Sequence, residues 1–135
     1  MLTKVPLRVV FVDDDPDLVQ LVRIAVAGER DFELVATSCE AAAVLDLVRE
    51  HQPDVVILDH RLSELREPRT QTGLELVAYT RVAIPDATIA IFTGRRGLQT
   101  AARNAGADVL VEKPAPLDAL WSAIREYRAT AGAGV

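Results

Sequence analysis

Carboxylate side chains follow two of the apolar runs in this sequence. Three aspartates, Asp13 to Asp15, come directly after the first run, and Asp59 follows the clearest one, Val55 to Leu58. Converging carboxylates repel one another, and a bound cation removes that conflict. Because Mg²⁺ is usually held by carboxylate and carbonyl oxygens with water retained on the ion, aspartates brought together here predict a magnesium site.

Two other reactive residues, Thr93 and Lys113, also follow apolar runs. A lysine ammonium is a point charge that suits a phosphoryl oxygen, and a threonine hydroxyl is a small hydrogen-bond donor. Taken alone, Thr93 is better explained as a strand terminus and Lys113 as a surface lysine. Together with a divalent cation and a carboxylate, they are the groups needed for phosphoryl transfer onto an aspartate.

The apolar runs have the length of β-strands and alternate with segments of helical spacing. The predicted strands cover residues 7–12, 32–37, 55–58, 87–92 and 109–111. Five strands alternating with five helices imply an α/β fold with a parallel sheet covered on both faces. Ligands of such sheets bind outside the carboxyl ends of the strands, which is where the reactive residues lie.

Local signals set the predicted helix boundaries. Asp15 and Pro16 are typical of the N-cap and first turn of a helix that ends at Gly28. Ser38 is the predicted cap of the second helix, and residues 129–135 are predicted to fray as a small-residue tail. The residues expected on the inward face of the first helix are Leu18, Leu21, Val22 and Ala25.

Length and composition restrict the class of protein. The chain has 135 residues, a formal net charge of −5 and hydrophobic residues at half its positions, as expected for one domain with its own core. Without a run of basic residues, direct contact with nucleic acid is not expected. Cys39 is the only cysteine, and no apolar segment reaches the roughly 18 residues of a membrane span. We therefore expect a cytoplasmic domain without membrane contact.

These residues together resemble a known family, the receiver domains of two-component response regulators, similar to CheY. The resemblance covers residues 8–128, and its motifs are Val12-Asp13-Asp14-Asp15-Pro16, Pro53-Asp54-Val55-Val56-Ile57-Leu58-Asp59, Phe92-Thr93-Gly94, Ala105-Gly106-Ala107-Asp108 and Glu112-Lys113-Pro114. It implies a doubly wound, flavodoxin-like (βα)5 fold with strand order 2-1-3-4-5. The receiver domain would span residues 1–128, followed by a flexible tail or linker over 129–135.

The resemblance also implies roles for individual residues. Asp59 would accept a phosphoryl group from a sensor histidine kinase, a phosphotransfer protein or a small donor such as acetyl phosphate. Asp14 and Asp59 would bind Mg²⁺ directly, Asp13 through water, and the backbone carbonyl of Arg61 would complete the site. The residues implied to contact the phosphoryl group are Thr93 and Lys113.

A receiver of this kind is a regulatory domain rather than an enzyme, because it catalyses only its own phosphorylation and dephosphorylation. Its output would be a population shift at the face formed by the fourth helix, fifth strand and fifth helix, read by an effector or a second copy.

Three features depart from the family pattern. The segment from Arg61 to Thr72 contains an insertion of about six residues, which is either a tolerated surface insertion or a functional loop. Leu110 occupies the position of the switch aromatic. Arg61 and Arg95 occupy positions that flank the attacking water in the family, so we expect both to alter the lifetime of the aspartyl phosphate.

Two other functions are compatible with parts of the sequence. A pseudo-receiver would keep the fold as an interaction module without phosphorylation, and Leu110 is the best argument for it. A haloacid-dehalogenase-like phosphatase would use Asp13 as its nucleophile. The short chain argues against the phosphatase, as does Thr93-Gly94-Arg95-Arg96, which stands where that family has a late acidic pair.

Overall fold

The computed structural model describes residues 5–59 and 73–133. Strands and helices alternate through these residues, and a short 3-10 helix precedes the second α-helix. The strands are β1 (Leu7–Val12), β2 (Phe32–Ser38), β3 (Val55–Leu58), β4 (Thr88–Thr93) and β5 (Val109–Glu112). The helices are α1 (Pro16–Ala27), α2 (Val44–His51), α3 (Gly73–Ala83), α4 (Gln99–Ala105) and α5 (Leu117–Ala133), with the 3-10 helix at Ala41–Ala43.

The five strands form one parallel sheet in the order β2-β1-β3-β4-β5. The predicted α/β class and the strand order implied by the resemblance are therefore confirmed. Val12 of β1 pairs with Leu58 of β3, and Thr93 of β4 pairs with Glu112 of β5. This register brings the residues that follow β1, β3, β4 and β5 to the same edge of the sheet.

Helices cover both faces of the sheet, which explains why the central strands are apolar throughout. Alternate strand residues such as Phe11 and Ile57 pack with α1 and α5, where Trp121 is buried. The intervening residues, such as Val10 and Val56, pack with α2, α3 and α4. All four residues of β3 are buried, as expected for a central parallel strand.

The predicted inward face of α1 was partly wrong. Asp15 caps this helix and Pro16 begins it, as predicted, and Gly28 caps its C-terminus. However, Leu21 is 56% exposed, and the buried residues of the helix are Val19, Val22 and Val26. Apolar residues occur on several sides of α1, so their spacing alone did not define its orientation.

The predicted cap of the second helix was also wrong. Ser38 is the last residue of β2, and its Oγ accepts a hydrogen bond of 2.9 Å from the backbone N–H of Glu40. Hydroxyl side chains form such local turns as readily as they cap helices. The 3-10 helix follows, and α2 begins at Val44 without a side-chain cap.

The predicted fraying from residue 129 does not occur at that position, because α5 continues to Ala133. Alanine at positions 129, 131 and 133 explains the extension, since alanine has the highest helix propensity. The predicted loop from Arg61 to Thr72 lies outside the described residues. Among the described helices, none is both long and apolar enough to cross a bilayer.

Candidate functional site

The sheet positions the acidic residues through its backbone. Asp13 and Asp59 directly follow the paired residues Val12 and Leu58, so their main chains lie side by side. The N–H of Asp59 donates to the carbonyl of Val12 at 3.3 Å, and the N–H of Asp13 donates to the carbonyl of Ser38 at 3.1 Å. These bonds extend the β2-β1-β3 ladder by one residue and fix the backbone positions of both aspartates.

The carboxylates of Asp13, Asp14 and Asp59 converge at this edge. One oxygen from each lies within 4.8 Å of those from the others. Asp13 is 1% exposed and Asp59 is 5% exposed, whereas Asp14 is open to solvent. The structure therefore brings together the three aspartates that were predicted to converge, and Asp14 is the one that faces water.

Lys113 lies at the same cluster, as predicted. Its Nζ is 3.0 Å from Oδ2 of Asp13 and 3.7 Å from Oδ2 of Asp59. The ammonium group also lies 5.2 Å from the centre of the Phe92 ring, a distance at which a cation is attracted to an aromatic face. Lys113 thus supplies a positive charge between two buried carboxylates.

Burial dominates the electrostatics of Asp13. The carboxyl group is removed from water, and this raises its pKa from 3.8 to about 6. The hydrogen bonds from the N–H of Asp15 and from Lys113 lower the pKa, and the charge of Asp59 raises it further. Asp13 is therefore a carboxylate whose negative charge is only partly compensated by the protein.

These residues fit a hard divalent cation. The cluster offers oxygen donors alone, which is the set preferred by Mg²⁺ and Ca²⁺. A cation would compensate the charge of Asp13 and Asp59, and the exposed Asp14 leaves a path to solvent. Asp15 plays a different role: its side chain accepts from the N–H of Asp17 and caps α1.

Thr93 is buried at the carboxyl end of β4, beside this cluster. Its backbone carbonyl accepts from the N–H of Lys113 at 2.6 Å, which joins the ends of β4 and β5. Its hydroxyl accepts from the N–H of Arg95 at 3.1 Å. The threonine therefore links Lys113 to the loop that follows β4.

The other predicted site residues lie outside the acidic cluster or outside the described residues. Arg95 is exposed in the loop between β4 and α4. Leu110 is half-buried in β5 and packs on the face covered by α2, α3 and α4. The backbone carbonyl and side chain of Arg61 lie outside the described residues.

Sequence reasoning gave no role to Glu112, the last residue of β5. Its Oε2 accepts from the backbone N–H of Gly97 and from Nε2 of Gln99, both at 3.2 Å. The available signal was a charged residue at the end of an otherwise apolar strand. Spacing gives no indication of which loop such a residue contacts.

Comparison with known proteins agrees with this arrangement. The model of the response regulator receiver domain family matches residues 9–125. "Response regulator MprA" from Mycobacterium sp. (strain KMS) is 31% identical over 123 residues, which are 89% of this chain and 50% of that protein. The chain thus spans about half the length of such curated relatives.

Solved structures show the same fold. A two-component response regulator of the LuxR family from Aurantimonas has a TM-score of 0.79 and 29% identity, covering 93% of this chain and 87% of that one. A response regulator from Burkholderia pseudomallei, solved with a phosphorylated aspartic acid, a calcium ion and citrate, has a TM-score of 0.76 and 20% identity, covering 94% and 71%. These matches favour the receiver over the phosphatase alternative. The chain belongs to the receiver domain family of two-component response regulators.

Proposed function

We propose that this receiver domain accepts a phosphoryl group on Asp59, from a sensor histidine kinase, a phosphotransfer protein or a small donor such as acetyl phosphate. The observation that carries the proposal is the buried Asp59 carboxylate beside two further aspartates, with Nζ of Lys113 at 3.7 Å. The phosphorylated aspartic acid of the regulator from Burkholderia pseudomallei supports it.

Asp14 and Asp59 would hold Mg²⁺ directly, with Asp13 acting through water and the carbonyl of Arg61 completing the site. Bound Mg²⁺ supplies positive charge between the carboxylates and the phosphoryl oxygens, which otherwise repel one another. The oxygen-only donors and the raised pKa of Asp13 support this assignment.

The protein's own groups perform the transfer by position and charge. One Asp59 oxygen forms a bond to phosphorus as the bond from phosphorus to the donor nitrogen or oxygen breaks, and the leaving group keeps the electron pair. Lys113, already 3.0 Å from Asp13, supplies a cation for a phosphoryl oxygen. The Thr93 hydroxyl donates to another. The domain turns over only its own aspartyl phosphate.

We place the output at the face formed by α4, β5 and α5, where an effector or a second copy would bind. A groove of about 170 Å³ between α4 and β5 is lined by residues that include Gln99, Arg103 and Leu110. The receiver unit is assigned to residues 1–128 and a tail or linker to 129–135, which begins with the last residues of α5, in a cytoplasmic protein. DNA binding, if it is the output, belongs to a different domain.

The test is the intact mass of the protein after incubation with acetyl phosphate and Mg²⁺. We expect one added phosphoryl group, which is lost in Asp59→Asn and in a sample treated with chelator. Asp54→Asn is the matched control, because Asp54 precedes the strand that Asp59 follows and its amide can still accept from the N–H of Arg8. That variant should be phosphorylated normally.

Other outcomes would contradict the proposal in distinct ways. No adduct with acetyl phosphate or with a panel of phosphorylated histidine kinases would indicate a pseudo-receiver. An adduct that survives Asp59→Asn but is lost in Asp13→Asn would support the phosphatase instead.

A further inference from the structure

The loop between β4 and α4, residues 94–98, is held at two points next to the phosphoryl site. Near its start, the N–H of Arg95 donates to the hydroxyl of Thr93 at 3.1 Å. Near its end, the N–H of Gly97 and the side-chain amide of Gln99 both donate to Oε2 of Glu112 at 3.2 Å. Arg95 therefore makes the first of these contacts, two residues before the contact of Gly97.

Glu112 is placed to hold this loop by the sheet itself. It pairs with Thr93 in the register of β4 and β5, and it directly precedes Lys113. Among the described residues its carboxylate forms no salt bridge with a basic side chain, and its side-chain hydrogen bonds go to the loop and to the first residue of α4. A carboxylate acceptor also forms a stronger hydrogen bond than a neutral one.

The conformation of Gly97 fits this contact. Its φ is +80°, in the region that favours glycine, and a Cβ placed there would meet no atom within 4 Å. The glycine is therefore required by the backbone conformation and not by a lack of space. That conformation directs the N–H of Gly97 to Glu112.

Few other contacts restrain this region. Helix α4 has seven residues, no side chain caps its N-terminus, and its one buried residue in the described structure is Ala102. Without the Glu112 carboxylate, the loop would be held near its start by Thr93 and near its end only through the carbonyl of Leu98, which accepts from the N–H of Ala102 in α4. The backbone that follows the anchored N–H of Arg95, and with it the direction of the Arg95 side chain, would then be poorly defined.

We propose that Glu112 is a positioning residue for the phosphoryl site, holding the β4–α4 loop so that Arg95 lies at the rim of the site and sets the lifetime of the aspartyl phosphate. The proposal rests on phosphorylation of Asp59. It adds a residue that touches neither the phosphoryl group nor the carboxylates, and acts through the loop.

The test is a double-mutant cycle on the decay of the phosphorylated protein. Wild type, Glu112→Ala, Arg95→Ala and the double variant are phosphorylated with acetyl phosphate and Mg²⁺, freed of donor, and followed by intact mass. Glu112→Ala should change the decay rate about threefold or more, in the same direction as Arg95→Ala. The double variant should decay like Arg95→Ala alone.

Two further variants separate positioning from general damage to the fold. Glu112→Gln keeps an oxygen acceptor and should restore a decay rate close to that of wild type. Glu126→Ala removes an exposed glutamate of α5 and should change nothing. In the unphosphorylated protein, hydrogen exchange at the N–H of Gly97 should be faster in Glu112→Ala while the melting temperature stays near that of wild type.

The possible failures are distinguishable. If wild type takes no phosphoryl group, the proposed function is wrong, and the role of Glu112 with it. If wild type is phosphorylated but Glu112→Ala decays at the same rate, or its effect adds fully to that of Arg95→Ala, only the positioning role is wrong. A melting temperature that falls in parallel with the change in decay would also overturn it.

Discussion

Asp13 is the residue at which burial and charge conflict most directly. It is 1% exposed and lies beside Asp59, and the ammonium of Lys113 offsets only part of its charge. Its pKa is raised from 3.8 to about 6, so the folded chain binds this proton more tightly than the unfolded chain does. The resulting stabilisation is complete below about pH 4 and is lost as the pH rises through about 6.

We therefore expect the metal-free protein to lose stability relative to Asp13→Asn as the pH rises from 4 to 7.5. The difference in the free energy of unfolding should change by roughly 3 kcal/mol in favour of the variant. Urea unfolding of both proteins at several pH values, in the presence of chelator, measures it.

Asp17→Asn is a suitable control, since Asp17 is exposed in the first turn of α1 and its stability difference from wild type should not follow this pH profile. Added Mg²⁺ should reduce the advantage of Asp13→Asn at pH 7.5, because the cation replaces the missing proton. A difference between wild type and Asp13→Asn that stays constant from pH 4 to 7.5 would contradict the expectation.

Two buried threonines provide a matched pair for hydrogen bonding. The hydroxyl of Thr80 in α3 has no hydrogen-bond partner among the described residues. The hydroxyl of Thr88 accepts from Nη1 of Arg128 at 2.8 Å. Thr80→Val should raise the free energy of unfolding by about 1 kcal/mol, and Thr88→Val should lower it by a similar amount. Urea unfolding of the two variants decides this, and a loss of stability in both would show that Thr80 has a partner.

At this scale, the sequence predicted the residues that end strands. Aspartate, threonine and lysine after apolar runs must lie at one edge of a parallel sheet, so their placement at that edge followed from the elements. The role of Glu112 was not predictable, because it depends on a loop whose shape includes a glycine with φ of +80°. Spacing along a chain does not determine such contacts.

At the scale of elements, Asp108 joins a strand and two helices at the end of the sheet remote from the site. Its carboxylate accepts from Arg81 at the end of α3, from the N–H of Ile89 in β4 at 2.9 Å and from the hydroxyl of Tyr127 in α5 at 2.9 Å. The guanidinium of Arg81 also donates to the carbonyls of Ala87 and Gly106. Asp108 is thus a structural residue, although it lies within a motif of the family.

Asp108→Ala should lower the free energy of unfolding by about 2–4 kcal/mol, because it leaves the charge of Arg81 without its carboxylate and the N–H of Ile89 without that acceptor. Chemical denaturation measures the loss. Asp86→Ala, at an exposed position in the turn before β4, should stay within about 0.5 kcal/mol of wild type. Equal effects of the two substitutions would contradict the structural role of Asp108.

How accurately each element was predicted depends on the residues that flank it and on the distribution of apolar and small residues within it. The bounds of β1 were predicted correctly because Pro6 precedes it and Asp13 follows it. The orientation of α1 was not, because apolar residues lie on more than one side of the helix. The end of α5 was placed too early, since small residues indicate a tail in one context and continue a helix in another.

At the scale of the whole molecule, the alternation of strands and helices predicted a parallel sheet, but it did not predict the order of the strands. Several orders satisfy the same alternation, and the observed one was implied by the resemblance to receiver domains. The convergence of Asp13 and Asp59 depends on β1 and β3 being neighbours, although they are not consecutive in the chain. The geometry of the site is thus a property of the topology.

The residues at the two ends of the sheet make different kinds of contact. At the amino end, Arg8 donates to the carbonyl of His51, Arg81 contacts Asp108, and Arg128 contacts Thr88. At the carboxyl end, the carboxylates of Asp13, Asp14 and Asp59 converge, and the protein compensates their negative charge only in part. The amino end contributes to stability, and the carboxyl end carries charges that favour a ligand.

Because stabilising contacts and reactive groups lie at opposite ends of the sheet, the sequence of such a domain can change at one end with little effect on the other. Substitutions around the aspartates alter reactivity without removing the hydrogen bonds and ion pairs at the amino end of the sheet. Many such variants should therefore still fold. Substitutions among the arginines and their acceptors act on folding while leaving the reactive groups in place. Kinetic behaviour can therefore drift between descendants of one ancestor while the architecture stays the same.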